Sequence, residues 1–229
     1  MNQSKGKHPH ALIPAIIVLG VLLVIAACAG TSGGAGGGLS RYSEQLNLHV
    51  ALIPKGKYGR RLHRPMRPTY ITVHSTATYP SFADADHFAR ALSRGYLKAS
   101  NNLLGYLTWH FTVDESSVYQ HLPLNERGEH ADYEGKGNKK SIGIEMCENR
   151  GNSRSRTIER TARLVAILMK QRNIPISRVV PHYHWERIQP RTGKNIGRKS
   201  CPHFLMDNGR PGAKWQAFLN KVQGYRNRL

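Results

Sequence analysis

The chain has 229 residues, with 34 Lys and Arg against 14 Asp and Glu, a formal charge of +20 and 39% hydrophobic residues. That apolar content suffices for one packed core and excludes wholesale disorder; the length suits one catalytic-sized domain with appendages. No fixed-period self-similarity points to a solenoid or propeller. Three cysteines, Cys28, Cys147 and Cys201, are too few and too scattered for a disulfide framework.

Residues 1–10 carry Lys5 and Lys7 and no acid, and residues 11–27 (ALIPAIIVLGVLLVIAA) form an uncharged apolar run. This is the layout of a secretory signal peptide. The run ends in Ile25-Ala26-Ala27-Cys28, which resembles the lipobox of bacterial lipoproteins and implies lipid modification of Cys28. A plain cleaved signal and an uncleaved membrane helix are the competing readings, since roughly 17–25 apolar residues span a bilayer. Ala29, rather than an aspartate, follows the cysteine. By resemblance to lipoprotein sorting this points to the outer membrane, with the protein in the cell envelope facing the periplasm.

Residues 28–40 read as a Gly-rich tether with a reach of about 20 Å, and residues 41–65 as a basic lead-in to a domain over 66–229. Loss of residues 1–27 removes two lysines and no acid, so the charge falls only from +20 to +18. Lys55, Lys57, Arg60, Arg61, Arg64 and Arg67 occur with no acid among them, which suits either an anionic surface or a solvated charged loop. No specific nucleic-acid partner is expected, because aromatic residues are not interleaved with the basic runs.

Thr69–His74 reads as a strand, and Ser81-Phe82-Ala83-Asp84 as a capping box opening a helix through about Ser93. Leu107–Val113 and Ser117–His121 flank Asp114-Glu115-Ser116 as a hairpin, and Ser141–Met146 is a further strand. Ile158, Ala162, Val165 and Leu168 recur at helical spacing. A last helix begins near Pro211 and turns Trp215, Phe218, Leu219 and Val222 inward. The expected fold class is α/β (α+β), a central mixed β-sheet flanked by helices.

Among twelve histidines, His74 closes the first core strand and His182 follows the apolar Val179-Val180-Pro181, while Cys201 sits in Lys199-Ser200-Cys201-Pro202. Two imidazoles and a thiolate suit tetrahedral zinc with one open position, but spacing alone does not establish the site. Five blocks in order, Tyr70–Thr76, Trp109–Asp114, Gly128–Ala131, Ser141–Glu145 and Lys199–Pro202, resemble the zinc-dependent N-acetylmuramoyl-L-alanine amidases. This type-2 amidase family includes phage endolysins and peptidoglycan recognition proteins, and the resemblance covers about residues 66–225.

The resemblance implies Zn2+ held by His74, His182 and Cys201, a catalytic carboxylate at Glu145 and an assisting lysine at Lys199. It implies a peptidoglycan or muropeptide substrate, cleaved between the muramyl lactyl group and L-alanine. The alternative is a non-catalytic peptidoglycan-binding module of the same fold, which the retained cysteine disfavours. Glu145 is the one acid in its apolar strand, where burial would raise its pKa. His130 matches a histidine of the family's substrate groove, with a structural role in its loop as the alternative. His110 is placed among the substrate contacts, with packing behind a ligand imidazole as the other reading.

Three alternatives stay open. Lys194 in Thr192-Gly193-Lys194-Asn195 competes with Lys199, because Glu186–Arg198 is longer than the family's usual loop. His184 competes with His182, since i and i+2 share a strand face. A Cys147–Cys201 disulfide would abolish the site. The oligomeric state is not legible.

Overall fold

The computed structural model describes residues 37–229. The signal-like run, Cys28 and most of the predicted tether lie outside the described residues. The helices are α1 (Gly37–Ser40), α2 (Ser43–Leu46), α3 (Ala85–Ser93), α4 (Lys136–Lys140), α5 (Arg154–Arg172) and α6 (Ala213–Arg226). The strands are β1 (Leu48–Val50), β2 (Tyr70–Ser75), β3 (Phe111–Val113), β4 (Val118–Gln120), β5 (Ser141–Met146), β6 (Val179–Pro181) and a small pair, β7 (Met206–Asp207) and β8 (Arg210–Pro211). Among the described residues no helix is long and apolar enough to cross a membrane.

Six strands form one mixed sheet in the order β1-β4-β3-β5-β2-β6, and only the β3–β4 hairpin is antiparallel. Side chains alternate across a strand, and this divides the chemistry. Ile71 and Val73 lie beside Ile142 and Ile144 and enter one apolar cluster with Leu164, Leu168, Phe218 and Val222 of α5 and α6. The intervening positions, Thr72 beside Gly143 and His74 beside Glu145, take the opposite face. Burying one apolar side chain contributes roughly 1.5–3 kcal/mol, so the helical layer fixes the register that pairs His74 with Glu145.

The mixed sheet flanked by helices is the predicted architecture, but several local expectations need correction. The domain does not begin at residue 66. Leu46 and Ile53 are fully buried, β1 pairs in parallel with β4, and Arg160 Nη1 donates to the Leu46 carbonyl at 2.7 Å. The tether likewise stops before its predicted end, because Gly37–Ser40 is a helical turn and Leu39 is buried in the helix-side core. Leu39 supplies the apolar surface that the glycines before it lack.

The lead-in arginines are not all free for an anionic surface. Arg60 forks Glu126 through Nε and Nη2 at 2.8 and 2.7 Å, and Arg64 pairs with buried Glu129. Asp84, not Ser81, caps α3, accepting the His87 amide at 2.8 Å. The hairpin strand starts at Phe111 rather than Leu107, because Thr108 bridges to Glu129 instead.

Candidate active site

The parallel register places His74 at the end of β2 next to Glu145 of β5. β6 delivers His182 in a short helical turn, and the irregular segment before β7 returns Cys201. One ligand atom from each of His74, His182 and Cys201 lies within 4.8 Å of the others, and all three residues are buried. His182 Nε2 donates to the Ala131 carbonyl at 2.9 Å, which leaves Nδ1 as a lone pair. That Nδ1 stands 2.9 Å from His74 Nδ1, a separation that needs a proton or a cation between the two nitrogens.

Burial, reinforced by the neighbouring His182, holds His74 well below the ordinary histidine range, and burial brings His182 down to about 3. Both rings are therefore neutral donors. The Cys201 thiol is pushed up to about 12 by burial and the nearby Glu145, while the Ser75 amide donates to Sγ at 3.3 Å and works in the opposite direction. Two neutral imidazoles and one sulfur, all on buried residues, fit a borderline-soft divalent cation.

Glu145 Oε1 is 3.9 Å from His74 Nδ1, and its Oε2 is buried without a hydrogen-bond partner. Burial raises its pKa to about 8, against the pull of Lys199. A cavity of about 190 Å³ opens on this carboxylate, and its walls include Trp109, His130, His182, Arg187 and Lys199.

The members of the two open pairs occupy different surroundings. Lys199 lines the cavity, whereas Lys194 is exposed in a hairpin-like loop whose backbone closes through Gln189 and Arg187. His184 does not share a face with His182, because both sit in a helical turn rather than on a strand. Its ring packs perpendicular to Trp185 at 4.6 Å. Cys147 and Cys201 are both free thiols, so the disulfide is absent. Cys147 is a buried small hydrophobe beside Phe88 and Trp109.

His110, expected among the substrate contacts, does not line the cavity. Its ring is fully buried, Nδ1 accepts the Gly143 amide at 3.0 Å, and Nε2 donates to the Glu126 carbonyl at 2.8 Å. Burial takes it down to about 4, so it stays neutral. It packs edge-on against His130 instead of a ligand ring.

His130 lines the cavity but has a second task that the sequence did not reveal. Its Nδ1 lies 3.0 Å from His74 Nε2. The ring occupies space that only glycines leave: a Cβ on Gly143 or Gly128 would come within 2.7 Å of it. Arg187 and the Ala131 carbonyl are further members of the site that sequence reasoning missed. Arg187 lies in the long loop, where nothing but charge marks it.

A sheet that gathers two imidazoles and a sulfur beside a buried carboxylate defines a class, a hydrolase-type site around a candidate metal-binding cluster. The family follows from comparison: the chain belongs to the N-acetylmuramoyl-L-alanine amidase family, whose model matches residues 64–204. It is 40% identical over 159 residues to the N-acetylmuramoyl-L-alanine amidase CwlH of Bacillus subtilis, covering 69% of this chain and 54% of that protein. It is 38% identical over 180 residues to XlyA of the same organism, covering 78% of this chain and 52% of the relative. The chain thus spans about half the length of these curated relatives. The structure of the catalytic domain of XlyA superposes with a TM-score of 0.62 at 38% identity, covering 77% of this chain and 99% of that one. The structure of PlyL gives 0.56 at 26% identity, with coverage of 77% and 96%.

Proposed function

We propose that this protein is a zinc-dependent N-acetylmuramoyl-L-alanine amidase that hydrolyses the amide between the muramyl lactyl group and L-alanine in peptidoglycan or muropeptides. The observation that carries this reading is the convergence of His74, His182 and Cys201, within 4.8 Å, beside the buried carboxylate of Glu145. His74, His182 and Cys201 would hold the ion, which when bound polarises the scissile carbonyl and acidifies water.

The chain's own groups do the rest. Glu145 takes a proton from the attacking water and returns it to the amide nitrogen as the C–N bond breaks, leaving a lactyl carboxylate and a free amine. Such a shuttle typically accelerates the step by about 10² to 10⁴. Lys199 places its ammonium beside the carbonyl oxygen, where charge develops in the tetrahedral intermediate. The Ala131 carbonyl and His130 orient the two ligand rings, and the cavity walls limit the water that reaches Glu145.

We further propose an exported, membrane-held protein whose N-terminal apolar run is a lipoprotein signal and whose Cys28 carries the lipid, on the periplasmic face of the outer membrane. The sequence of residues 11–28 supports this reading. Release of L-alanyl peptides from muropeptides, measured before and after chelation, tests the chemistry. Hydrolysis should vanish on chelation and return with Zn2+, and Cys201→Ser should bind no stoichiometric zinc. Equal hydrolysis with and without chelator refutes the assignment.

A further inference from the structure

We propose that the α5–α6 layer is a membrane-facing surface that takes anionic phospholipid headgroups, and that it aims the active-site cavity away from the bilayer. α5 carries Arg154, Arg156, Arg160, Arg163, Lys170 and Arg172 against one carboxylate, Glu159; α6 carries Lys214, Lys221 and Arg226 against none. None of these side chains lines the active-site cavity. They gather on the helical layer, and the catalytic groups occupy the other face of the sheet. A hollow of about 550 Å³ between α2 and α5 is walled by Gln45, Arg156, Arg160 and Arg163. Its two carboxylates are already engaged, Glu115 by Arg156 and Glu159 by Lys221. The surplus is cationic, which fits phosphate-bearing headgroups.

The chain itself indicates which anionic surface reaches this layer. Leu39 and Leu46 sit in the same apolar cluster as α5 and α6, so the polypeptide enters the domain on the helical side. Only ten residues, or eleven backbone steps, lie between Cys28 at the end of the apolar run and Leu39. Fully extended they reach at most about 40 Å, and as a coil about 20 Å. A bilayer holding that run is within tether reach of the basic helices, and the cavity lies on the opposite face of the sheet from them. This inference rests on the anchorage proposed above and not on the hydrolytic chemistry.

Amine acetylation footprinting of the full chain on vesicles is the test. On phosphatidylcholine vesicles containing phosphatidylglycerol, Lys214 and Lys221 should label several-fold more slowly than on phosphatidylcholine alone. Lys136 and Lys194 should be unchanged, and the protection should fade at about 1 M salt, where screening acts within about 3 Å. Uniform protection, or protection of Lys136 and Lys194 instead, overturns the orientation. Protection by a soluble poly(glycerol phosphate) but not by vesicles overturns the lipid assignment. A chain that does not sediment with any vesicle overturns the anchorage, and none of these readouts depends on amidase activity.

Discussion

The role of His130 in holding His74 is most sharply tested through a residue with no side chain. In Gly143→Ala the new Cβ would lie 2.7–2.8 Å from three atoms of the His130 ring. Carbon contacts settle near 3.5–4.0 Å, so the ring must retreat by about 1 Å. A Cβ on Gly128 would meet the same ring, 2.7 Å from Cδ2. The 3.0 Å separation from His74 Nε2 then opens toward about 4 Å, beyond hydrogen-bonding range. Losing that bond costs about 1 kcal/mol, and the overpacking about 1–3 kcal/mol more. Loss of a group that orients a metal ligand typically lowers affinity about 10- to 100-fold. Zinc affinity by chelator competition and urea unfolding of the ion-free protein measure the two effects separately. His130→Ala should lower zinc affinity to a similar extent, and the double variant should be no worse than His130→Ala, because both changes remove one contact. Wild-type affinity in Gly143→Ala, or losses that add in the double variant, would refute the coupling.

Other outcomes follow from the same geometry. Glu145→Gln should keep stoichiometric zinc while hydrolysis falls by about 10² to 10⁴, and retained hydrolysis would remove the shuttle role. The raised pKa of Glu145, about 8, means that the ion-free fold binds this proton more tightly than the unfolded chain. Its contribution is therefore complete at low pH and is lost as pH rises from about 4.5 through about 8. Glu145→Gln should accordingly stabilise the ion-free protein at pH 8 relative to pH 5, by a few kcal/mol at most, and equal gains at both values in denaturant titrations would contradict this. Lys199→Ala should cost on the order of 3 kcal/mol in kcat/KM while Lys194→Ala changes it little; the reverse order would return the assisting role to the loop. Arg60→Ala leaves Glu126 with only 12% side-chain exposure and no guanidinium, and should destabilise by about 3 kcal/mol in thermal unfolding. A negligible change would restore residues 41–65 to the status of a separate lead-in.

How far the sequence could be read depends on the range of the interactions that fix each part. β5 and the α5 and α6 patterns are legible because their apolar spacing is local and the helices bury what the spacing predicts. The lead-in is not, because Arg60 and Arg64 look like solvated charge until Glu126 and Glu129, some 65 residues away, come beside them. The choice between His182 and His184 stays open in the sequence for a related reason. Alternation holds only on a strand, and Pro181 ends β6 one residue before His182, so the chain turns and sends the second imidazole toward Trp185.

The site itself carries least local signal, because its geometry belongs to the sheet. His74 and His182 are 108 positions apart and Ser75 and Cys201 are 126 apart, so no periodicity links them, and only family resemblance could nominate them together. What brings them together is the apolar half of each strand. Ile71 and Val73 pack toward α5 and α6, and the same alternation turns Thr72 and His74 the other way. Gly143, opposite Thr72, is the one position on β5 without a side chain, and His130 occupies the space it leaves. A glycine inside a strand usually weakens it. Here its missing side chain admits the ring that holds His74, so the local cost and the proposed chemistry share one cause.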